Sequence, residues 1–145
     1  MTTDTLITFL RGTNAVSSLL GAPVKLSDGT LPTAAVYKQV LPRAYKLPAI
    51  VVHRYNGVSD QDMAGPVNAR EDNFQLDVYG DTENDCDALT NACRSLMTGL
   101  TGEVGSTFVM GTYLEQDRDM PFLPNADSKS LAFRSLLGYR VVSKV

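Results

Sequence analysis

The chain has 145 residues, of which 43% are hydrophobic and 20% charged, and its formal net charge is -3. This length and composition predict a single domain, residues 1–145, with its own core. The thirteen Lys and Arg residues are scattered, which argues against a basic nucleic-acid-binding surface. No apolar run reaches the roughly 18 residues that a transmembrane helix needs, so no membrane span is predicted.

The N-terminal part predicts a helix over Thr3–Gly21, because apolar residues recur at helical spacing and a glycine followed by a proline ends the pattern. Gly12 and Asn14 predict a break within it. Two short extended pieces are expected next, around Val24–Leu26 and Thr33–Val40, in a region punctuated by prolines.

Ala49–Tyr55 predicts a buried strand, since it contains a compact run of β-branched residues. The segment that follows, Asn56–Ala69, is rich in Gly, Asp and Pro and predicts a long exposed loop. A connection of this length is uncommon in a compact domain unless it has a function. The next strand is expected to return antiparallel to Ala49–Tyr55.

Asn73–Leu100 has the pattern of a strand that leads directly into a helix. Apolar residues alternate with polar ones up to Tyr79, as in a half-buried strand. Thr82 can then cap a helix over about residues 82–98, with Asp85 three residues on. Its apolar stripe is Cys86, Leu89, Cys93, Leu96 and Leu100.

The C-terminal part predicts two more strands, Thr107–Glu115 and Leu131–Val142, separated by a second long polar loop over Gln116–Ser130. In the first of these strands one face is expected to carry Phe108, Met110 and Leu114. The order of elements indicates an α+β fold, with a mostly antiparallel sheet, an N-terminal helix and a second helix packed on one face, and two long loops.

No catalytic, cofactor-binding or metal-binding group is predicted. Cys86 and Cys93 lie two helical turns, about 10.5 Å, apart, too far for a disulfide, and are interpreted as buried apolar residues of a reduced intracellular chain. His53 is the only histidine and lies in an apolar strand. A small metal-binding or enzymatic domain that uses His53, Asp60 or Asp62 stays open as an alternative.

Apolar residues within the two polar loops are the better functional signal, because exposed clustered apolar side chains often mark contact surfaces. They can instead fold back over the edge of the sheet. The residues predicted to contact a neighbouring subunit or partner are Asp60, Asp62, Met63, Arg70, Asp117, Arg118, Asp119, Met120 and Phe122.

Three stretches carry a resemblance to a known family. They are Ser17–Gly21 followed by Val24, the proline and apolar strand Leu47–Val52, and Phe74–Gly80 leading into a helix that ends near Leu96-Met97. In their order and spacing they resemble the tail terminator proteins of long-tailed bacteriophages, also described as tail-completion or tail-to-head joining proteins.

The resemblance implies a structural, non-enzymatic virion protein without cofactors. Family members form a hexameric ring that caps the tail tube at its head-proximal end, stops tube polymerisation and joins the tail to the neck. The implied partners are further copies of the chain, the tail tube protein and a neck or head-completion protein. DNA would pass through the lumen without specific binding, and the ring would be assembled in the host cytoplasm. Another neck or head-completion adaptor is the alternative.

Overall fold

A computed structural model describes residues 1–62, 65–122 and 132–144, and its main feature is one six-stranded sheet curled into a half-barrel. Along the sheet the strands follow the order β1-β2-β3-β6-β5-β4; β1 runs parallel to β2, and the other neighbours are antiparallel. The strands are β1 (Val36–Lys38), β2 (Ala49–Asp62), β3 (Gly65–Gly80), β4 (Gly102–Val104), β5 (Thr107–Phe122) and β6 (Ala132–Lys144). The predicted α+β class with a mostly antiparallel sheet is confirmed.

The predicted N-terminal helix is present and is broken near the expected place. Its two pieces are α1 (Thr3–Gly12) and α2 (Asn14–Ser17). The side chain of Thr2 caps α1 by accepting a hydrogen bond of 3.1 Å from the Thr5 amide. The break occurs at Thr13, whose backbone is extended.

The second helix, α3 (Glu83–Met97), begins as the sequence predicts, because the Thr82 hydroxyl accepts a hydrogen bond of 3.1 Å from the Asp85 amide. The turn from β3 into α3 requires Gly80. A Cβ at that position would lie 2.6 Å from the amide nitrogen of Cys86, closer than atoms of a real side chain approach.

The main core lies between the helices and one face of the sheet, here called the helix face. Leu89, Cys93 and Met97 of α3 are fully buried there. Leu96 only packs partly against this core, so the buried stripe of α3 is rotated slightly from the predicted one. The sheet contributes buried apolar side chains from β1, β2, β3, β5 and β6: Val36, Ile50, Val52, Phe74, Leu76, Val78, Val109, Leu137, Tyr139 and Val141.

Among the described residues, those that cover the opposite face of the sheet lie near β1. There Ala35, Tyr37 and Ala49 form a second, small buried cluster under partly buried residues of segment 20–47. Along β3, β6 and β5 this second face carries mainly polar and charged side chains, and it is called the open face below.

The first predicted long loop is largely strand, and the described start of the second is strand as well, so the predicted loop boundaries are wrong. Asn56–Ala69 contains the end of β2 and the start of β3, which pair with each other on either side of residues 63 and 64. Gln116 to Phe122 extends β5, while residues 123–130 lie outside the described part of the chain. The register shifts by one residue at Tyr55 and at Glu115, the two positions where the predicted strands end, so a β-bulge interrupts the alternation at each.

A bulge at Met110 explains why the predicted face of β5 is wrong. The register shifts at Met110, so the residues before and after it change faces. Val109 is fully buried on the helix face, and Leu114 packs against the core beside it. Phe108 and Met110 are about half exposed instead.

Candidate assembly surface

Within the described residues, both edges of the sheet are unpaired over most of their length. β1 pairs with β2 only at residues 50–52, and β4 pairs with β5 only at residues 107–109. Beyond these pairs, the backbone amides of Gln39 and Gly99 donate hydrogen bonds to the carbonyls of Val52 and Thr112. Within the described residues, no strand pairs with the outer side of β2 from His53 to Asp62, or of β5 from Tyr113 to Phe122. Such edges present unpaired backbone groups to a strand of another chain.

A buried charge cluster fixes the β2–β3 hairpin to the core. The Asp72 carboxylate is fully buried and accepts hydrogen bonds from Arg54 (3.1 Å), from Arg70 (3.0 Å) and from the Met1 amino group (3.1 Å). Gly57 lies directly opposite Asp72, and a Cβ there would lie 2.6 Å from an Asp72 carboxylate oxygen. A side chain at position 57 would therefore displace the Asp72 carboxylate or the Arg70 guanidinium.

The open face is held together by charged side chains that link β3, β6 and β5. The Arg140 guanidinium lies 3.4 Å from the Glu71 carboxylate and 3.0 Å from that of Glu115, and it stacks 4.8 Å from the centre of the Tyr113 ring. Arg134 pairs in the same way with Asp77 at 3.1 Å. These pairs link neighbouring strands and place carboxylates beside the two central arginines of the face.

Three of the predicted contact residues have partners within the chain. Arg70 belongs to the Asp72 cluster described above. Asp117 accepts two hydrogen bonds from Arg94 of α3, at 2.8 and 3.0 Å, and this contact raises the pKa of Arg94. Asp119 accepts a hydrogen bond of 2.7 Å from the Ser135 hydroxyl. Asp117 and Asp119 therefore connect β5 to α3 and β6.

Arg118 and Met120 lie on the open face, on the opposite side of β5 from Asp117 and Asp119. Arg118 is exposed and forms no ion pair within the described residues, and Met120 is half-buried. The backbones of Asp60, Asp62 and Phe122 lie in β2 and β5, but their side chains are outside the described part of the structure. Met63 also lies outside it.

A group of exposed apolar side chains on β2 and β5 was not predicted from the sequence. Tyr55, Phe108, Met110 and Tyr113 are each about half exposed. Tyr55 and Met110 are themselves bulge residues. The only signal in the sequence was an apolar residue beside an interrupted alternation, and that pattern is equally typical of a buried strand.

The described residues contain no group of three or more His, Cys, Asp or Glu side chains that could hold a metal ion. Both cysteines are buried and free, and burial raises the pKa of the Cys93 thiol to about 12. His53 is half-buried within β2, opposite Gln75. In the described part of the chain, no helix is long and apolar enough to cross a membrane.

Comparison with known proteins agrees with this architecture. The family model for tail completion protein gp17 matches residues 4–139. A chain from the virion of a native gene transfer agent particle has the same fold, with a TM-score of 0.66 and 16% sequence identity over 95% of this chain and 90% of that chain. No curated protein sequence matches. Because the family model covers nearly the whole chain, the protein belongs to the tail completion protein gp17 family, whose members are structural proteins of virion tails.

Proposed function

We propose that this protein forms a ring, with six subunits as the expected number, that caps the tail tube at its head-proximal end. The ring stops tube polymerisation and joins the tail to the neck. Its partners are further copies of the chain, the tail tube protein and a neck or head-completion protein. Family membership supports a role in tail completion, and the proposal adds to it the ring, its position and its partners.

The observation that carries the proposal is the pair of open sheet edges. A closed ring uses heterologous contacts, in which one side of each subunit meets a different side of the next. The outer side of β2 and the outer side of β5 are two such sides on one sheet. Exposed apolar residues beside both edges, among them Tyr55 and Tyr113, favour contact with a neighbour over exposure to water.

The charge of the molecule supports passage of DNA without specific binding. The formal net charge is -3, and Arg134 and Arg140 are paired with carboxylates on the open face. Specific or tight binding to DNA requires several uncommitted basic groups that reach phosphates. The location that follows is the tail–neck junction of the virion, after assembly of the ring in the host cytoplasm.

Electron microscopy and light scattering of the purified protein test ring formation. We expect rings of uniform size whose mass corresponds to about six chains, since closed cyclic assemblies have a fixed subunit number. Added to growing tail tubes, the protein should bind one end and stop elongation. A protein that stays monomeric and leaves tube growth unchanged would contradict the proposal. Binding to the head side with no effect on tube length would favour the adaptor alternative.

A further inference from the structure

A basic groove lies beside the β1 edge of the sheet, between α1 and the segment over residues 25–43. Its volume is about 650 Å³. Two acidic residues, Asp4 and Asp28, are outnumbered on its rim by four basic ones, Arg11, Lys25, Lys38 and Arg43.

Two of these basic residues are free to meet a partner. Arg11 donates its hydrogen bonds to the Val36 carbonyl, and Lys38 pairs with Asp4 at 3.3 Å. Lys25 and Arg43 are exposed and form no ion pair within the described residues. The groove therefore presents uncompensated positive charge on its rim.

The lining of the basic groove is apolar as well as charged. The side chain of Val40 is 71% exposed, and Leu26 and Leu41 are half-buried beside it. An exposed apolar lining with a positive rim suits a partner that offers an apolar anchor flanked by carboxylates.

The same chain carries a surface of that description, here called the acidic patch. Glu83 and Asp87 of α3 and Asp119 of β5 line a cleft of about 170 Å³ together with Phe133, which is 42% exposed. Arg134 is the basic residue of this cleft, and Asp77 already neutralises it at 3.1 Å.

The basic groove and the acidic patch are separate surfaces of one subunit. They share no lining residue, and β2 and β3 lie between β1 and β6, which places β1 about 14 Å from β6 across the sheet. One subunit thus holds both halves of a head-to-tail contact, as a ring requires.

From this charge complementarity we infer that the surface around the basic groove of one subunit packs against the acidic patch of the next copy of the same chain. Phe133 is the apolar anchor, and Lys25 and Arg43 face Glu83 and Asp87. The inference rests on the proposed function and adds to it the surfaces that set the direction of the contact.

Two charge-reversed variants test the inference. The groove variant carries Lys25→Glu with Arg43→Glu, and the patch variant carries Glu83→Lys with Asp87→Lys. Each alone places like charges at every contact, so its ring population should fall by about tenfold or more at a concentration where the unmodified protein is assembled. Mixed in equal amounts they should recover rings, because alternating subunits restore every opposite-charge contact.

Matched controls change the same charge elsewhere on the surface. Lys46→Glu with Lys144→Glu controls for the groove variant. Asp85→Lys with Glu103→Lys controls for the patch variant, including the effect of charge in the first turn of α3. Both controls should assemble like the unmodified protein, and circular dichroism should report the same fold for all variants.

The outcomes separate this inference from the proposed function. Rings of normal abundance from either reversed variant, or folded variants whose mixture forms no rings, overturn the inference while ring formation by the unmodified protein still stands. Normal rings that no longer bind tail tubes would assign the groove to a tail partner and also overturn it. If the unmodified protein forms no rings, the proposed function is contradicted, and the inference that rests on it is contradicted as well.

Discussion

Asp72 shows how one residue determines the position of a whole hairpin. Its carboxylate has no contact with water, and it joins two arginines of the β2–β3 hairpin to the Met1 amino group before α1. The sequence contains Arg70 and Asp72 two residues apart, but that spacing is as common in exposed strands. The sequence does not indicate the role of Asp72, because Arg54 and Met1 are distant in the chain and only the fold brings them beside its carboxylate.

Replacement of Asp72 by Asn tests this cluster. The change leaves several positive groups near a buried site without a counter-charge, and we expect a loss of about 3–5 kcal/mol in the free energy of unfolding. The neighbouring change Glu71→Gln is the control, since that carboxylate is about one-third exposed and should matter by less than about 1 kcal/mol. Urea unfolding measures both, and equal losses would contradict the structural role of Asp72.

At the scale of elements, the regular parts of the fold were predictable and the bulged strands were not. Local chemistry defines α3, because Thr82 caps it and its stripe faces the core. The two long strands β2 and β5 were truncated in the prediction at Tyr55 and Glu115. A bulge interrupts the two-residue period, and the residues beyond it are largely polar, so the sequence pattern there resembles that of a loop.

The position of α3 on the sheet gives a prediction for its buried stripe. Leu89→Ala removes a fully buried side chain and should lower the free energy of unfolding by about 2–5 kcal/mol. Leu96→Ala should cost clearly less, since Leu96 packs only at the margin of the core. Thermal or urea unfolding of both variants provides the comparison. Equal losses, or no loss for Leu89→Ala, would place the stripe elsewhere.

On the scale of the whole molecule, the two faces of β5 divide the predicted contact residues into separate roles. Asp117 and Asp119 face α3 and β6 and have partners within the chain, whereas Arg118 lies on the open face without an ion pair in the described residues. The alternation of side chains along a strand produces this division. A loop, as predicted for this stretch, has no such alternation, so the sequence alone does not separate these residues.

Charge reversal at Arg118 measures assembly apart from folding. Arg118→Glu should reduce ring formation while the free energy of unfolding stays within about 0.5 kcal/mol of that of the unmodified protein. Asp119→Arg is the comparison, and it should also destabilise the fold because it removes the acceptor for the Ser135 hydroxyl. Light scattering and urea unfolding give the two readouts. Unchanged ring formation by Arg118→Glu would remove this residue from the interface.

The bulges at Tyr55, Met110 and Glu115 have a consequence for subunits that are not yet assembled. They lie in β2 and β5, whose outer edges are unpaired over most of their described length, and the register of β2 against β3 shifts once more between Ser59 and Gln61. A bulge bends and twists its strand, so a flat chain or an unrelated strand cannot continue the hydrogen-bond ladder for long. The same distortions that hide these strands in the sequence therefore protect free subunits against indiscriminate aggregation, and they restrict edge pairing to a neighbour whose curvature matches.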